Sequence, residues 1–303
     1  MNILIAGGTG FLGTALVREL LIRGDRVVAL VRDPVVARRR LPPDVLIAQW
    51  DGKTSGDWTR HVGEADAVIN LSGEPIAARR WTKGQKQRIL QSRITPTRAL
   101  VLAMTAGKQR PSVLINASAI GYYGFSEASP ATEETPSASG FLGETCALWE
   151  QEALAARSAG IRVVLPRLGI VLGNDGGALQ KMVLPFRLYV GGPIGSGAQW
   201  FPWVHRDDVI GALFFALDTP NLHGPVNCVA PENVRMDEFC RTLARVLARP
   251  SWLRVPGFVL RSLMGEMAGM ILGGRRVLPG RLTGMGYHFT HPRLEGALRS
   301  ILD

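Results

Sequence analysis

The sequence predicts an α/β fold: a doubly wound parallel sheet joined to a smaller, irregular α/β lobe. Three observations predict it. Apolar runs of strand length alternate with helical segments as far as Pro166, the pattern of a parallel sheet covered on both faces. The first run, Asn2–Ala6, leads straight into Gly7-Gly8-Thr9-Gly10-Phe11-Leu12-Gly13 and an amphipathic segment. Beyond Gly173 the rhythm gives way to glycine- and proline-rich turns with short, separate apolar runs.

Taken in order, Leu12, Leu16 and Leu20, with Val17 and Leu21 beside them, recur at helical spacing after the first strand, and Gly24 closes that helix. Arg26–Val31, residues 45–49 and residues 66–71 are the second, third and fourth strands. Residues 82–105 form a long helix, with Thr82 and Gln85 at capping spacing, a kink at Pro96 and a stop at Gly107. Residues 113–117 are the fifth strand. A polar stretch without periodicity, 125–140, is a surface loop. A helix over 143–158 and a strand over 162–166 complete the regular part. Later come turns at 191–197, runs at 203–204 and 225–229, and helical patterns at 236–247, 257–272 and 292–302. In open parallel sheets ligands lie beyond the carboxyl ends of the strands, so this second half is placed to close a substrate cleft.

Composition excludes several classes. The chain has 303 residues, enough for a full core, and three cysteines without metal-site spacing, which suits reduced thiols and no bound metal. The N-terminus opens on a strand without a signal-peptide pattern, and the apolar stretch 255–272 is interrupted by Arg261 and Glu266. A cytoplasmic protein without a membrane partner is expected. The net charge of +10 permits attraction to nucleic acid, but the arginines are spread along the chain without basic runs interleaved with aromatics. No nucleic-acid partner is expected; a solvated face or a phosphorylated cofactor accounts for the charge.

A short strand, a glycine turn and a helix make a cradle for a dinucleotide pyrophosphate, because the helix offers free N–H groups and the positive end of its dipole. Gly7 and Gly10 let the backbone bend and approach the phosphates, Thr9 lies between them, and Gly13 lets the helix lie close to the strand. This is the Rossmann arrangement. The second strand ends Val31-Arg32-Asp33, with valine where an acid would bond a ribose 2′-hydroxyl. Arg32 favours a 2′-phosphate and hence NADP. Asp33 argues the other way unless, with Pro34 after it, it starts the next turn or helix.

Together GGTGFLG, Arg32, Asn70-Leu71-Ser72-Gly73, and Ser118 followed by Tyr122-Tyr123-Gly124 resemble the extended short-chain dehydrogenase/reductase family over essentially the whole chain. Glu74, Arg80-Trp81-Thr82, Ser92-Arg93, residues 193–197 and Trp203-Val204-His205 resemble its atypical epimerase-like branch, and the stretch from Trp252 resembles the small C-terminal module of that branch. The resemblance implies an NADP-binding domain over 1–250 with substrate-lobe segments at about 174–204 and 225–250. A helical module over 251–303 completes the lobe. It implies that Gly10, Phe11 and Leu12 supply amides to the pyrophosphate, that Arg32 binds the 2′-phosphate, and that Leu71, Ser72 and Gly73 line the adenosine side. Asp51 would lie near the adenine, Arg93 would face the cofactor, and Pro166, Arg167 and Gly169 would pass the nicotinamide end.

The family's Tyr-x-x-x-Lys pair is missing. Aligning on Glu150 puts Leu142 at the tyrosine and Cys146 at the lysine, and no such pair occurs elsewhere. Substitutes each have a plainer reading. Ser118 is the polarising hydroxyl if Tyr122 is the anchor, whereas anchoring on Tyr123 puts Ala119 there. Tyr122 or Tyr123 donates a proton, or both are aromatic lining of the cleft, with Trp200 beside the substrate. His205 is a general acid, or begins a helix whose first turn carries Asp207 and Asp208. Cys146 is a nucleophile or a buried packing group. The resulting expectation is a reductase or epimerase on a small carbonyl or sugar-type substrate; the alternative is a non-catalytic NADP binder. Monomer and homodimer remain equal expectations.

Overall fold

Every apolar run as far as Pro166 is a strand of one parallel sheet. The structure, a computed structural model, describes residues 1–303, the side chain of Ala128 excepted. The chain starts with β1 (Asn2–Ala6), α1 (Phe11–Ile22), β2 (Arg26–Val31), the short α2 (Pro34–Arg38) and β3 (Leu46–Gln49). It continues with α3 (Arg60–Gly63), β4 (Ala67–Asn70), α4 (Lys83–Ala106), β5 (Val113–Asn116) and β6 (Ser118–Ala119). Next are β7 (Ser126–Ala131), α5 (Phe141–Leu154), β8 (Arg162–Leu168), β9 (Ile170–Leu172), α6 (Leu179–Arg187), β10 (Trp200–Phe201) and β11 (Trp203–His205). They are followed by α7 (Arg206–Asp218), β12 (Gly224–Cys228), β13 (Val234–Arg235) and α8 (Met236–Val246). The last stretch holds α9 (Gly257–Met264), α10 (Ala268–Leu272), β14 (Arg275–Val277), α11 (Gly280–Gly284) and α12 (Leu294–Leu302).

The main sheet runs β12-β8-β5-β4-β1-β2-β3, with β6 beside β8. Strand order reverses at β1, which lies between β4 and β2, so the carboxyl end of β1 is where a crevice opens. Alternation sorts the strand residues onto two faces. Ile3 and Ile5 pack with Leu16, Val17 and Leu20 of α1 and Val209 and Leu213 of α7. Leu4 and Ala6 pack with Leu100 and Met104 of α4 and Ala153 of α5. A third core, around Phe201, Trp203 and Phe239, holds the irregular half and includes Leu298 of α12. Pro166 sits inside β8 without breaking it. The partner on one side changes there from β5, paired through Val164, to β6, paired from Arg167, so no ladder bond needs the missing N–H.

Three expectations change. The 125–140 stretch is not all loop: β7 pairs in parallel with β14, about 150 residues later, joining Ser126 to Arg275 and Ala131 to Val277. A pairing over that separation leaves no local periodicity to read. The helical pattern at 257–272 is divided, because Gly265 takes φ +61° and turns the chain between α9 and α10. Leu179–Arg187 is a helix within the half read as turns and short runs.

Candidate functional site

The glycine turn is shaped by backbone crowding. Gly7 has φ +84°, and a Cβ there would stand 2.6 Å from the Leu71 carbonyl carbon and 2.8 Å from Ser72 N. A Cβ on Gly13 would stand 2.2 Å from the Gly7 carbonyl oxygen. Both therefore hold the β1 turn, the start of α1 and the end of β4 at the separation of a phosphate cradle. Gly10 N donates to Gly7 O at 3.0 Å and Gly10 caps α1, which leaves the Phe11 and Leu12 amides in the open first turn. The Phe11 ring is turned away from that turn, against residues 173–177, where added Cβ atoms on Gly173 or Gly176 would come within 2.7 Å of it. Beneath the β4 end, Asn70 Nδ2 donates to Asn116 Oδ1 at 2.7 Å and to Thr97 Oγ1 at 2.9 Å, and Asn70 Oδ1 accepts from Ser72 N at 3.1 Å. This buried amide pair holds the Leu71-Ser72-Gly73 edge of the crevice in place.

At the end of β2, Asp33 is the N-cap of α2: Oδ1 accepts from Val35 N at 2.9 Å and from Val36 N at 3.1 Å, with Pro34 in the first turn. Its carboxylate is thereby engaged, while Arg32 is exposed without an ion-pair partner among the described residues. A second cation lies here, since Arg40 Nη1 donates to Thr9 O at 3.3 Å. Arg40 is the last of three consecutive arginines, and only the fold returns it to the glycine turn. Asp51 is exposed and closes its own turn, accepting from Lys53 N and Thr54 N at 2.8 and 2.9 Å; these bonds hold its carboxyl below the usual range. Arg93 is anchored on Ile89 O (2.9 Å) and Glu74 O (3.1 Å), directly beside Gly73.

The chemical end of the crevice departs from expectation. Ser118 is buried, and its Oγ donates to Glu150 Oε1 at 2.6 Å. Ala119, extended and next in the strand, takes the opposite face, so the outward position holds a methyl group. Ser118 is not a polarising hydroxyl; it belongs to a buried network. In that network Arg167 donates Nε to Glu150 Oε1 and Nη2 to Glu150 Oε2, both at 2.8 Å, and Nη1 to Tyr123 Oη at 2.8 Å. Tyr123 Oη in turn donates to Asn227 Oδ1 at 2.6 Å. Tyr123 is 1% exposed, and burial pushes its phenol up to about 12, so it neither touches a substrate nor gives up a proton near neutrality. The Arg167 guanidinium is buried in this network; Pro166 is buried beside it, and Gly169 is required by contact with Pro202 O. Tyr122 is half-buried, its ring 3.5 Å over the Arg167 guanidinium. Leu142 and Cys146 lie against Gly121, and burial pushes the Cys146 thiol up to about 12, which disfavours the nucleophilic thiolate.

Residues 3–228 match the NAD dependent epimerase/dehydratase family, and residues 255–301 match a domain of unknown function, DUF1731. The chain belongs to the NAD-dependent epimerase/dehydratase family. It is 40% identical over its whole length to an Arabidopsis thaliana chloroplastic homologue of epimerase family protein SDR39U1, covering 87% of that protein. Epimerase family protein YfhF of Bacillus subtilis is 39% identical, with 100% of this chain and 98% of that protein covered. Among solved structures, human epimerase family protein SDR39U1, crystallised with NADPH, superposes with TM-score 0.88 at 35% identity over 99% of both chains. The UDP-glucuronic acid 4-epimerase of Bacillus cereus shares the fold, with TM-score 0.79 at 18% identity over 99% and 95% of the two chains.

The two remaining candidates, Trp200 and His205, lie in the irregular half. Trp200 is half-buried in the β10–β13 pair, with the Arg235 and Arg276 guanidiniums 4.3 and 5.6 Å from its ring centre. His205 is the N-cap of α7: its Nδ1 accepts from Asp207 N at 3.1 Å, and its ring stacks on His291 at 3.9 Å. Burial, then the neighbouring His291, lowers its pKa to about 4, which favours the neutral ring near pH 7. The unfolded chain takes up this proton near pH 6.5 and the folded chain only near 4, so acidification through that window favours unfolding. Stability should be full above pH 6.5 and fall by up to about 3 kcal/mol toward pH 4. Urea midpoints of the wild type and His205→Asn, which keeps a capping side chain, should diverge at pH 7 and converge at pH 4.5. Parallel pH profiles would refute the assignment.

Proposed function

We propose that this chain binds NADP(H) in the Gly7–Gly13 cradle and does not perform the tyrosine-driven proton transfer of dehydrogenases and epimerases. One observation carries the second half of that reading. The places of the relay hydroxyl, phenol and ammonium are taken by Ala119, Leu142 and Cys146, none of which donates a proton near neutrality. The first half is supported by the crowded glycine turn, the engaged Asp33 beside a free Arg32, and the NADPH held by the human relative.

Gly10, Phe11 and Leu12 would hold the pyrophosphate by backbone amides, Arg32 and Arg40 the 2′-phosphate, and Leu71, Ser72 and Gly73 the adenosine side. A bound NADPH would carry hydride, but the chain places no Tyr-Lys proton relay beside it. What the chain adds is the site that holds the nucleotide.

Calorimetric titration tests the cofactor: NADPH should bind at least about tenfold tighter than NADH. Arg32→Ala should weaken NADPH about 10- to 100-fold and leave NADH unchanged. Incubation with NADPH and a panel of carbonyls and nucleotide sugars should give no oxidation. Steady turnover would overturn the non-catalytic reading, and its loss in Tyr122→Phe would make Tyr122 the donor instead.

A further inference from the structure

Two turns of the irregular half stand side by side with their apolar side chains in solvent. Leu188, Tyr189 and Val190, at the end of α6, are 62%, 55% and 44% exposed; Trp252 and Leu253, before α9, are 66% and 41% exposed. The turns are tied together, Trp252 N and Leu253 N donating to Gly191 O at 3.1 and 3.3 Å and Trp252 Nε1 to Tyr189 O at 2.9 Å. Tyr189 holds φ +63° and Ala248 φ +49°, the only non-glycine residues described with positive φ. A bulky residue in that region is strained, and such strain persists where the surroundings impose it. Tyr189 lies within the exposed patch, and Ala248 four residues before Trp252. The Arg249 guanidinium lies 4.6 Å over the Tyr189 ring.

Cations outnumber acids in the two segments that form this patch. Residues 176–205 contain Lys181 and Arg187 and no acid; residues 239–265 contain Arg241, Arg245, Arg249, Arg254 and Arg261 and no acid. Arg245 pairs with Glu295 and Arg254 with Asp237, whereas Lys181, Arg187 and Arg261 have no ion pair among the described residues. A second copy of this chain would bring like charges together, and an apolar protein groove would leave the cations without partners. Tryptophan and tyrosine beside aliphatic residues and arginine suit the interface of an anionic bilayer, where the rings sit at headgroup depth and the cations meet lipid phosphates and carboxylates. No helix is long and apolar enough to cross a membrane, so the contact is with the surface.

We propose that the knuckle formed by residues 187–190 and 249–254 docks this protein on anionic lipid bilayers. Co-sedimentation of the full chain with vesicles of phosphatidylcholine, alone or with about one third phosphatidylserine, tests it. Partition into the anionic vesicles should exceed that into neutral ones by at least about tenfold and should fall as salt rises from about 0.05 to 0.5 M. Trp252→Ser combined with Leu253→Ser should lower it at least about tenfold, and Arg187→Ala about fivefold. NADPH titration of each variant should be unchanged, which shows that the fold is intact. Equal partition into both vesicle types, or variants that bind like the wild type, would overturn the proposal. So would a dimer in sedimentation velocity that Trp252→Ser dissolves, which would give the patch to a second copy.

Discussion

Arg167→Ala should destabilise the protein by about 3–5 kcal/mol, read as a lowered urea midpoint. The guanidinium is 3% exposed, makes two 2.8 Å bonds to Glu150, one to Tyr123 Oη, and one to Glu133 O at 3.2 Å, and supports the Tyr122 ring. Truncation leaves the Glu150 carboxylate buried with only the Ser118 hydroxyl as a donor, and an uncompensated buried charge is the costly outcome rather than the loss of attraction. Arg167→Met with Glu150→Gln should therefore recover part of the loss, because it removes both charges. Arg167→Lys should fall between, since one ammonium does not reproduce the two-pronged contact. A loss under about 1 kcal/mol for Arg167→Ala would mean that the network is not what holds β6, β8 and α5 together.

Gly13→Ala should abolish NADPH binding in calorimetry, while Gly8→Ala should leave it near wild type. The contrast is steric. A Cβ at Gly13 meets the Gly7 carbonyl at 2.2 Å and Gly8 Cα at 2.7 Å, backbone atoms that yield only if the phosphate turn moves. A Cβ at Gly8 meets side-chain carbons of Ala29, Ile5 and Val17 at 3.5 to 3.7 Å, ordinary packing distances. Overpacking costs about 1–3 kcal/mol, so Gly13→Ala should also lower the melting temperature modestly. If Gly13→Ala binds NADPH within about tenfold of wild type, the turn is not the cradle assigned to it.

Much of the cofactor site was legible because its signals are local. The strand, the glycine turn and the α1 spacing lie within 22 residues, and the Asp33-Pro34 start of α2 and the Thr82 cap of α4 each involve contacts two or three residues apart. The chemical end was harder. Ser118 and Ala119 differ by one position in a strand, and one position decides which face a side chain takes. Tyr122 and Tyr123, in the short helical turn after β6, are likewise adjacent, and the bond of Tyr123 to Asn227, 104 residues away, shows which one is buried. His205 could be read both as an acid and as a helix start, and only the buried stack on His291 separates the two.

The sequence by itself determined the alternating α/β order, the glycine cradle and the missing Tyr-x-x-x-Lys pair, because each follows from residue type and short spacing. Only the tertiary structure decided that Ser118, Tyr123 and Arg167 face inward, that Arg40 returns to Thr9, and that β7 joins β14. Those outcomes depend on pairings across 17 to about 150 residues, where burial and the geometry of the packed sheet select among arrangements that local spacing leaves equal.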